Sequence, residues 1–164
     1  MITETEAYDG FEDKASHANR GKTERNKIMF GPSGYWYVYL TYGMHWMLNI
    51  VTGERDYPAA VLIRSVEADE HGHKNRRSVF TRINGPGRVT KFLRVDKKFN
   101  GKRANRVTGL WIEERSGVKS LRLKVKSSPR VGVDFAGPVW SNKHYRFYLD
   151  GQVINRNSRT PKRR

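Results

Sequence analysis

No cysteine occurs among the 164 residues. Disulfides, thiolate nucleophiles and Cys-based zinc or iron–sulfur sites are therefore excluded together. Acidic residues are scarce against basic ones, 16 to 32, for a formal net charge of +16. No apolar run is long enough to span a bilayer, and the opening MITE lacks the pattern of a secretory signal. The expectation is a chain of a reducing compartment, cytoplasm or nucleoid (nucleus, if eukaryotic), with no membrane partner. Hydrophobic residues make up only 37%, enough for one modest core. One domain over residues 1–154 is expected, followed by a basic tail, 155–164, that is disordered in isolation.

A charge of +16 concerns partners and solubility, not fold. Nucleic acid is the partner it predicts, because phosphate neutralisation with counterion release rewards dense Lys and Arg. A basic membrane-surface helix is the rival, and no such amphipathic run is visible. Aromatic residues reach 12%, with eight tyrosines, and such rings serve nucleotide-binding surfaces as well as cores.

Residues 2–8 read as a short strand. Residues 9–34 are polar and Gly-punctuated, with one helical turn near 24–29, and so long an irregular stretch usually carries function. The clearest local pattern is YWYVYLTYGMHWMLNIVT, residues 35–52. Two aromatic and β-branched runs flank Tyr42-Gly43, the signature of a hairpin. A three-residue loop, Thr41-Tyr42-Gly43, sets Tyr39 opposite His45, Tyr37 opposite Met47 and Tyr35 opposite Asn49, all on one face. A two-residue loop would put Tyr39 and Asn49 on opposite faces. Further strands are expected over 58–66, 110–114, 121–125, 130–133 and 145–149. The 67–82 stretch is charged and loop-like, and a helix is expected from Pro86. The fold class is therefore α+β: a curved antiparallel or mixed sheet, few helices and a protruding β-hairpin.

Glu4 and Glu6 alternate and so share a strand face. A solvated edge is the ordinary reading; the sharper one makes one of them a general base that deprotonates water beside an anomeric carbon. Spacing does not choose between them. Arg64 interrupts the apolar run AAVLIRSV and, buried alone, would cost several kcal/mol. It needs a carboxylate partner; Glu6 is a reasonable one, and the pairing would hold that carboxylate ionised. His17 is a lone loop histidine. No HxxxH or HxE…CxxC pattern exists, so a zinc deaminase is not expected, and His71 with His73 is at best a weak metal pair. Tyr42 sits at a turn apex, where a ring cannot be core. On so basic a chain it suggests a wedge between base pairs.

The segments ETEAY (4–8), ASH (15–17), Arg25-Asn26 with Met29-Phe30, and YVYLTYGMHWMLNI (37–50) occur in order. VLIRSVE (61–67), NGPGRVTK (84–91), PRVGVDFAG (129–137) and RFYLDG (146–151) follow. Together, over nearly the whole chain, they resemble the alkyladenine DNA glycosylase family, the 3-methyladenine DNA glycosylases of mammalian type. The resemblance implies a monofunctional enzyme that needs no cofactor or metal. It would flip alkylated purines, 3-methyladenine with hypoxanthine and ethenoadenine as further candidates, out of double-stranded DNA and hydrolyse the bond to the sugar. It implies Glu6 as general base, with Arg64 holding the water and that carboxylate. Tyr8, His17 and Tyr39 would contact the flipped base, Asn49 would exclude guanine through its exocyclic amine, and Val133 would shape the water site. Tyr42 would fill the gap left in the duplex. A monomer is implied. Family members carry a further segment before the ETEAY strand, so its absence here is an expected departure. A non-catalytic DNA- or RNA-binding relative is the alternative, with the tail 159–164 the one specific argument for RNA.

Overall fold

The computed structural model describes residues 1–69, 80–114 and 124–150. Seven strands form one sheet: β1 (Ile2–Asp9), β2 (Trp36–Thr41), β3 (His45–Val51), β4 (Ala59–Asp69), β5 (Phe80–Asn84), β6 (Val125–Ser128) and β7 (Arg146–Leu149). The order is β2-β3-β4-β1-β7-β6, with β5 paired to the outer half of β4. Every pairing is antiparallel, so of the two sheet types expected the antiparallel one holds. Two short helices, α1 (Pro86–Phe92) and α2 (Gly137–Ser141), complete an α+β domain. α1 begins on Pro86, where a missing N–H costs nothing.

Period-two alternation sorts the hairpin residues onto two faces. Trp36, Val38 and Leu48 join Ile63, Val66, Val89 and Val95 in a core beneath α1. Tyr37 and Val51 point the other way, into a second cluster with Ala18, Met29, Phe30 and Ala60, against which Tyr39 packs. That second face carries the site. It is covered by the 10–34 connection, which holds two single 3-10 turns, His17–Arg20 and Lys27–Phe30.

The hairpin loop has three residues, but they are Tyr42-Gly43-Met44, one later than the spacing suggested. Thr41 pairs with His45, Tyr39 with Met47 and Tyr37 with Asn49. Tyr42 and Gly43 both take left-handed backbone, at φ 49° and 68°, and Met44 donates its N–H to the Thr41 carbonyl at 3.1 Å. Sliding the whole loop by one residue shifts each cross-strand partner by two, so Tyr39 and Asn49 stay on one face.

Other expectations need correction. Residues 110–114 form no strand: Leu110 makes a single bridge to Asn105. Residues 130–133 are a turn rather than a strand, their backbone being spent on tertiary contacts described below. The strand placed at 121–125 starts at Val125 and runs to Ser128; residues 121–123 lie outside the described residues. Of the 67–82 stretch expected to be loop, residues 67–69 belong to β4 and 80–82 to β5; residues 70–79 lie outside the described residues. His71, His73 and the tail 155–164 also lie outside the described residues.

One buried ion pair clamps the start of the 10–34 connection to the 130–133 turn. Asp13 and Arg130, both with fully buried side chains, meet in a two-pronged contact at 2.5 and 2.7 Å. Arg130 also donates to the Ala7 carbonyl at 2.8 Å, and Asp13 accepts from the backbone N–H groups of Asp9 and Ala15. Removing one partner of such a pair leaves an uncompensated buried charge, which costs about 3–5 kcal/mol. Asp13→Ala is therefore expected to lower unfolding free energy by roughly that amount. Urea denaturation measures it, and a loss under about 1 kcal/mol would show that the clamp contributes little.

Candidate active site

A cavity of about 700 Å³ opens on the second face of the sheet. Its walls come from β1 (Tyr8), the 15–17 turn, β2 and β3 (Tyr37, Tyr39, Met47, Asn49), β4 (Leu62, Arg64) and the 131–135 turn. Strand alternation accounts for this: positions 37, 39, 47 and 49 share one hairpin face, and Ala60, Leu62 and Arg64 share one face of β4.

Glu6 lies one contact behind that wall, fully buried. Its Oε1 accepts the Val131 backbone N–H at 2.7 Å. Its Oε2 accepts the Tyr8 hydroxyl at 3.1 Å and Arg64 Nη1 at 3.2 Å. Tyr8, Arg64 and Val131 all line the cavity, so Oε2 is the carboxylate oxygen shared between two lining side chains. The predicted Glu6–Arg64 pair is present, and Glu4 is present with it: its Oε1 accepts Arg64 Nε at 3.1 Å.

Alternation with Leu62 points Arg64 at the cavity, and a break in register beside it returns the residues that follow to the core. Thr5 lies opposite Ile63 and Glu4 opposite Ser65, so Arg64 is an extra residue between two paired ones. Such bulges re-aim side chains and are common beside active sites. The same shift lets Ile63 and Val66, three apart, share the core under α1, which unbroken alternation forbids.

Tyr8, His17 and Tyr39 come together as expected. The His17 and Tyr39 rings lie 4.6 Å apart at 74°, and Tyr37 and Tyr39 lie 5.2 Å apart. His17 Nδ1 is 3.0 Å from the Tyr37 hydroxyl. Burial, aided by nearby Arg25, lowers the His17 pKa below its ordinary value, so the ring is neutral at pH 7. Burial pushes the Tyr39 hydroxyl up to about 12, with Arg25 opposing. Burial raises Tyr8 and Tyr37 further still, and the Glu6 charge adds to the effect on Tyr8. All three phenols are therefore hydrogen-bond donors at physiological pH. Arg130 lies 4.7 Å from the Tyr8 ring centre, and Arg25 lies 5.4 Å from that of Tyr39 while donating to the Leu40 carbonyl.

Asn49, 3% exposed, donates its Nδ2 to the Tyr37 carbonyl at 3.1 Å, which fixes the orientation of its amide in the wall. Val133 is buried with Ala15 and Ala136, and Tyr8 packs against that cluster. It thus supports the wall, while the direct contact to Glu6 comes from Val131. Gly132, at φ 73°, supplies the left-handed residue between that donated N–H and the buried Val133. Tyr42 stands at the cavity mouth, 89% exposed. A non-glycine residue in left-handed backbone costs roughly 1–2 kcal/mol. Among the described residues no three His, Asp or Glu side chains cluster as a metal site.

Sequence reasoning missed Val131, Arg25, Asp13 and Arg130 as parts of the site or its supports. A backbone donor leaves no trace in residue type, and arginines are too frequent here to stand out.

The model of the methylpurine-DNA glycosylase family matches residues 1–153. A protein of Methanocella arvoryzae is 41% identical over 153 residues, covering 90% of this chain and 74% of its own. One of Borreliella burgdorferi (strain ZS7) is 40% identical, covering 94% and 81%, and one of Legionella pneumophila (strain Corby) 39%, covering 90% and 75%. All three bear the name "Putative 3-methyladenine DNA glycosylase". The chain belongs to the methylpurine-DNA glycosylase family, a family of DNA repair glycosylases.

Proposed function

We propose that this chain excises alkylated purines of the 3-methyladenine type from double-stranded DNA by hydrolysis, leaving an abasic site and an uncut strand. Hypoxanthine and ethenoadenine are further candidate substrates. One observation carries the reading: a fully buried carboxylate, Glu6, is held by Arg64, Tyr8 and the Val131 N–H directly behind an aromatic-walled cavity. A base cannot enter that cavity while stacked in a duplex, so the nucleotide must be flipped. Alkylation at N3 or N7 makes the purine cationic and a good leaving group, so little acid assistance is needed. The remaining requirement is a water molecule placed and deprotonated beside an oxocarbenium-like sugar. Glu6 is the base in this scheme, acting through Oε2, and Arg64 orients the water.

The other roles follow from position. Tyr8, His17 and Tyr39 hold the cationic base against ring faces, a favourable arrangement for a cation. Asn49 excludes guanine by opposing its exocyclic amine. Val133 backs the water site through its packing on Tyr8. Tyr42, exposed and conformationally strained, fills the gap in the duplex. No cofactor enters the scheme.

Three outcomes test this. Glu6→Gln should slow single-turnover release of methylated purine by about 10²–10⁴-fold while lesion-duplex binding persists; undiminished release would overturn the assignment. Salt-sensitive binding by the intact protein with no base release would instead identify a non-catalytic relative. Tyr42→Ala should weaken binding to lesion-bearing duplex by about 1–3 kcal/mol, the worth of one stacked ring. Its unfolding free energy should change by less than about 0.5 kcal/mol, and a destabilised protein with unchanged binding would remove the wedge. Finally, protonating His17 sets a cation beside Arg25 and a cationic base. Excision of cationic lesions should therefore fall as pH drops through the depressed His17 pKa, below 6.5. The unfolded chain binds that proton first, so stability also declines from about pH 6.5 downward. Replacing His17 by Gln should flatten this acid limb.

A further inference from the structure

Arg64 does not serve Glu6 alone. Four charged side chains alternate in sign from the buried carboxylate to the surface: Glu6, Arg64, Glu4 and Arg146. Arg64 Nη1 donates to Glu6 at 3.2 Å and Arg64 Nε to Glu4 Oε1 at 3.1 Å. The same Glu4 oxygen accepts Arg146 Nε at 2.7 Å, the shortest contact of the series. Side-chain exposure is 0% at Glu6, 15% at Arg64, 11% at Glu4 and 31% at Arg146. The sheet builds this line: β1 lies between β4 and β7, and Glu6 pairs in register with Arg146.

We infer that Glu4 and Arg146 are positioning residues of the same reaction, acting through Arg64. This rests on the proposed role of Glu6 and Arg64. The physical case has two parts. The guanidinium of Arg64 is planar, so donating from Nε to one carboxylate and from Nη1 to another fixes its rotation. Its Nη2, with no partner among the described residues, is then the donor available on a side chain that lines the cavity. Glu4 sets that rotation, and Arg146 sets Glu4.

The second part is charge. The four groups sum to zero, whereas Glu6, Arg64 and Glu4 alone sum to −1 in a poorly hydrated place, where an unbalanced charge is costly. Without Arg146, Glu4 draws Arg64 away from Glu6 unopposed. The other buried arginine cannot substitute, because Arg130 is committed to Asp13 and the Ala7 carbonyl. Arg146 reaches Glu4 with one nitrogen, so a lysine can replace it there. It also lies 5.3 Å from the Tyr148 ring centre.

A double-mutant cycle read by single-turnover excision from methylated duplex DNA tests this. Arg146→Met should slow excision about ten- to hundredfold, the scale of a small misplacement of a reacting group. Lesion-duplex binding should stay unchanged, and Arg146→Lys should restore most of the rate. Glu4→Gln should slow excision similarly. In the Glu4→Gln background Arg146→Met should add no further loss, because Arg146 acts only through Glu4. Full additivity would overturn the inference. So would an unchanged rate with weaker, less salt-sensitive DNA binding, which would make Arg146 a phosphate contact. Each assay is run below the variant's melting transition. Glu6→Gln runs alongside: full activity there would fail the underlying assignment, whereas a dead Glu6→Gln with a fully active Arg146→Met fails this inference alone.

Discussion

A carboxylate with no exposure to water must find a donor for each oxygen, and the architecture of the site is the answer to that requirement at Glu6. The donors arrive from three directions: its own strand through Tyr8, the adjacent strand through Arg64, and a distant turn through Val131. Among the described residues Val131 is the single donor to Oε1, while Oε2 has two. The chain must therefore bring residue 131 back to residue 6, and the Asp13–Arg130 clamp immediately beside Val131 is what closes that return. Arrangement of the cavity wall follows from it, since the 131–135 turn supplies one side and the 15–17 turn, beginning two residues after Asp13, supplies another.

The sheet divides labour between its faces. Under α1 it is an ordinary apolar core, with Trp36, Leu48 and Val89 all close to fully buried. On the opposite face burial is only partly apolar: tyrosines and Asn49 occupy positions that a purely structural sheet would fill with leucine and valine. That choice lowers hydrophobic stabilisation and creates an opening lined by rings with phenolic donors. The bulge at Arg64 is the hinge between the two programmes, since it follows a cation that faces the cavity and returns Val66 to the core.

What the sequence made legible was whatever depends on periodicity and residue type. Alternation in residues 35–52 was enough to assign the hairpin and to place Tyr39 and Asn49 on one face, even with the loop one residue out of place. The parity of a strand survives such a slip. An arginine in an apolar strand required a carboxylate, and it has two. The misses share one physical origin. Residues 130–133 look like a strand by composition, yet they turn because the Val131 N–H is spent on Glu6 rather than on a neighbouring strand. Residues 110–114 are apolar enough for a strand, yet only Leu110 finds a bridge. Long-range commitments of backbone groups override local propensity, and they cannot be seen in residue types.

On the proposed reading, a protein of net charge +16 that accepts a cationic purine faces two opposed demands. Its surface must attract phosphate, while its cavity must not repel the base. The side chains behind the cavity meet the second demand by cancellation. Glu6, Arg64, Glu4 and Arg146 sum to zero, burial keeps His17 neutral, and the phenols stay protonated. Arg25 is the remaining cation at the wall, and it lies over Tyr39 with one nitrogen tied to a backbone carbonyl. Among the described residues, the cations of the cavity wall are thus each tied to a carboxylate or a backbone carbonyl, apart from the charge that meets phosphate. On the proposed reading, the same separation lets electrostatic attraction to DNA and acceptance of a positively charged lesion operate in one small domain.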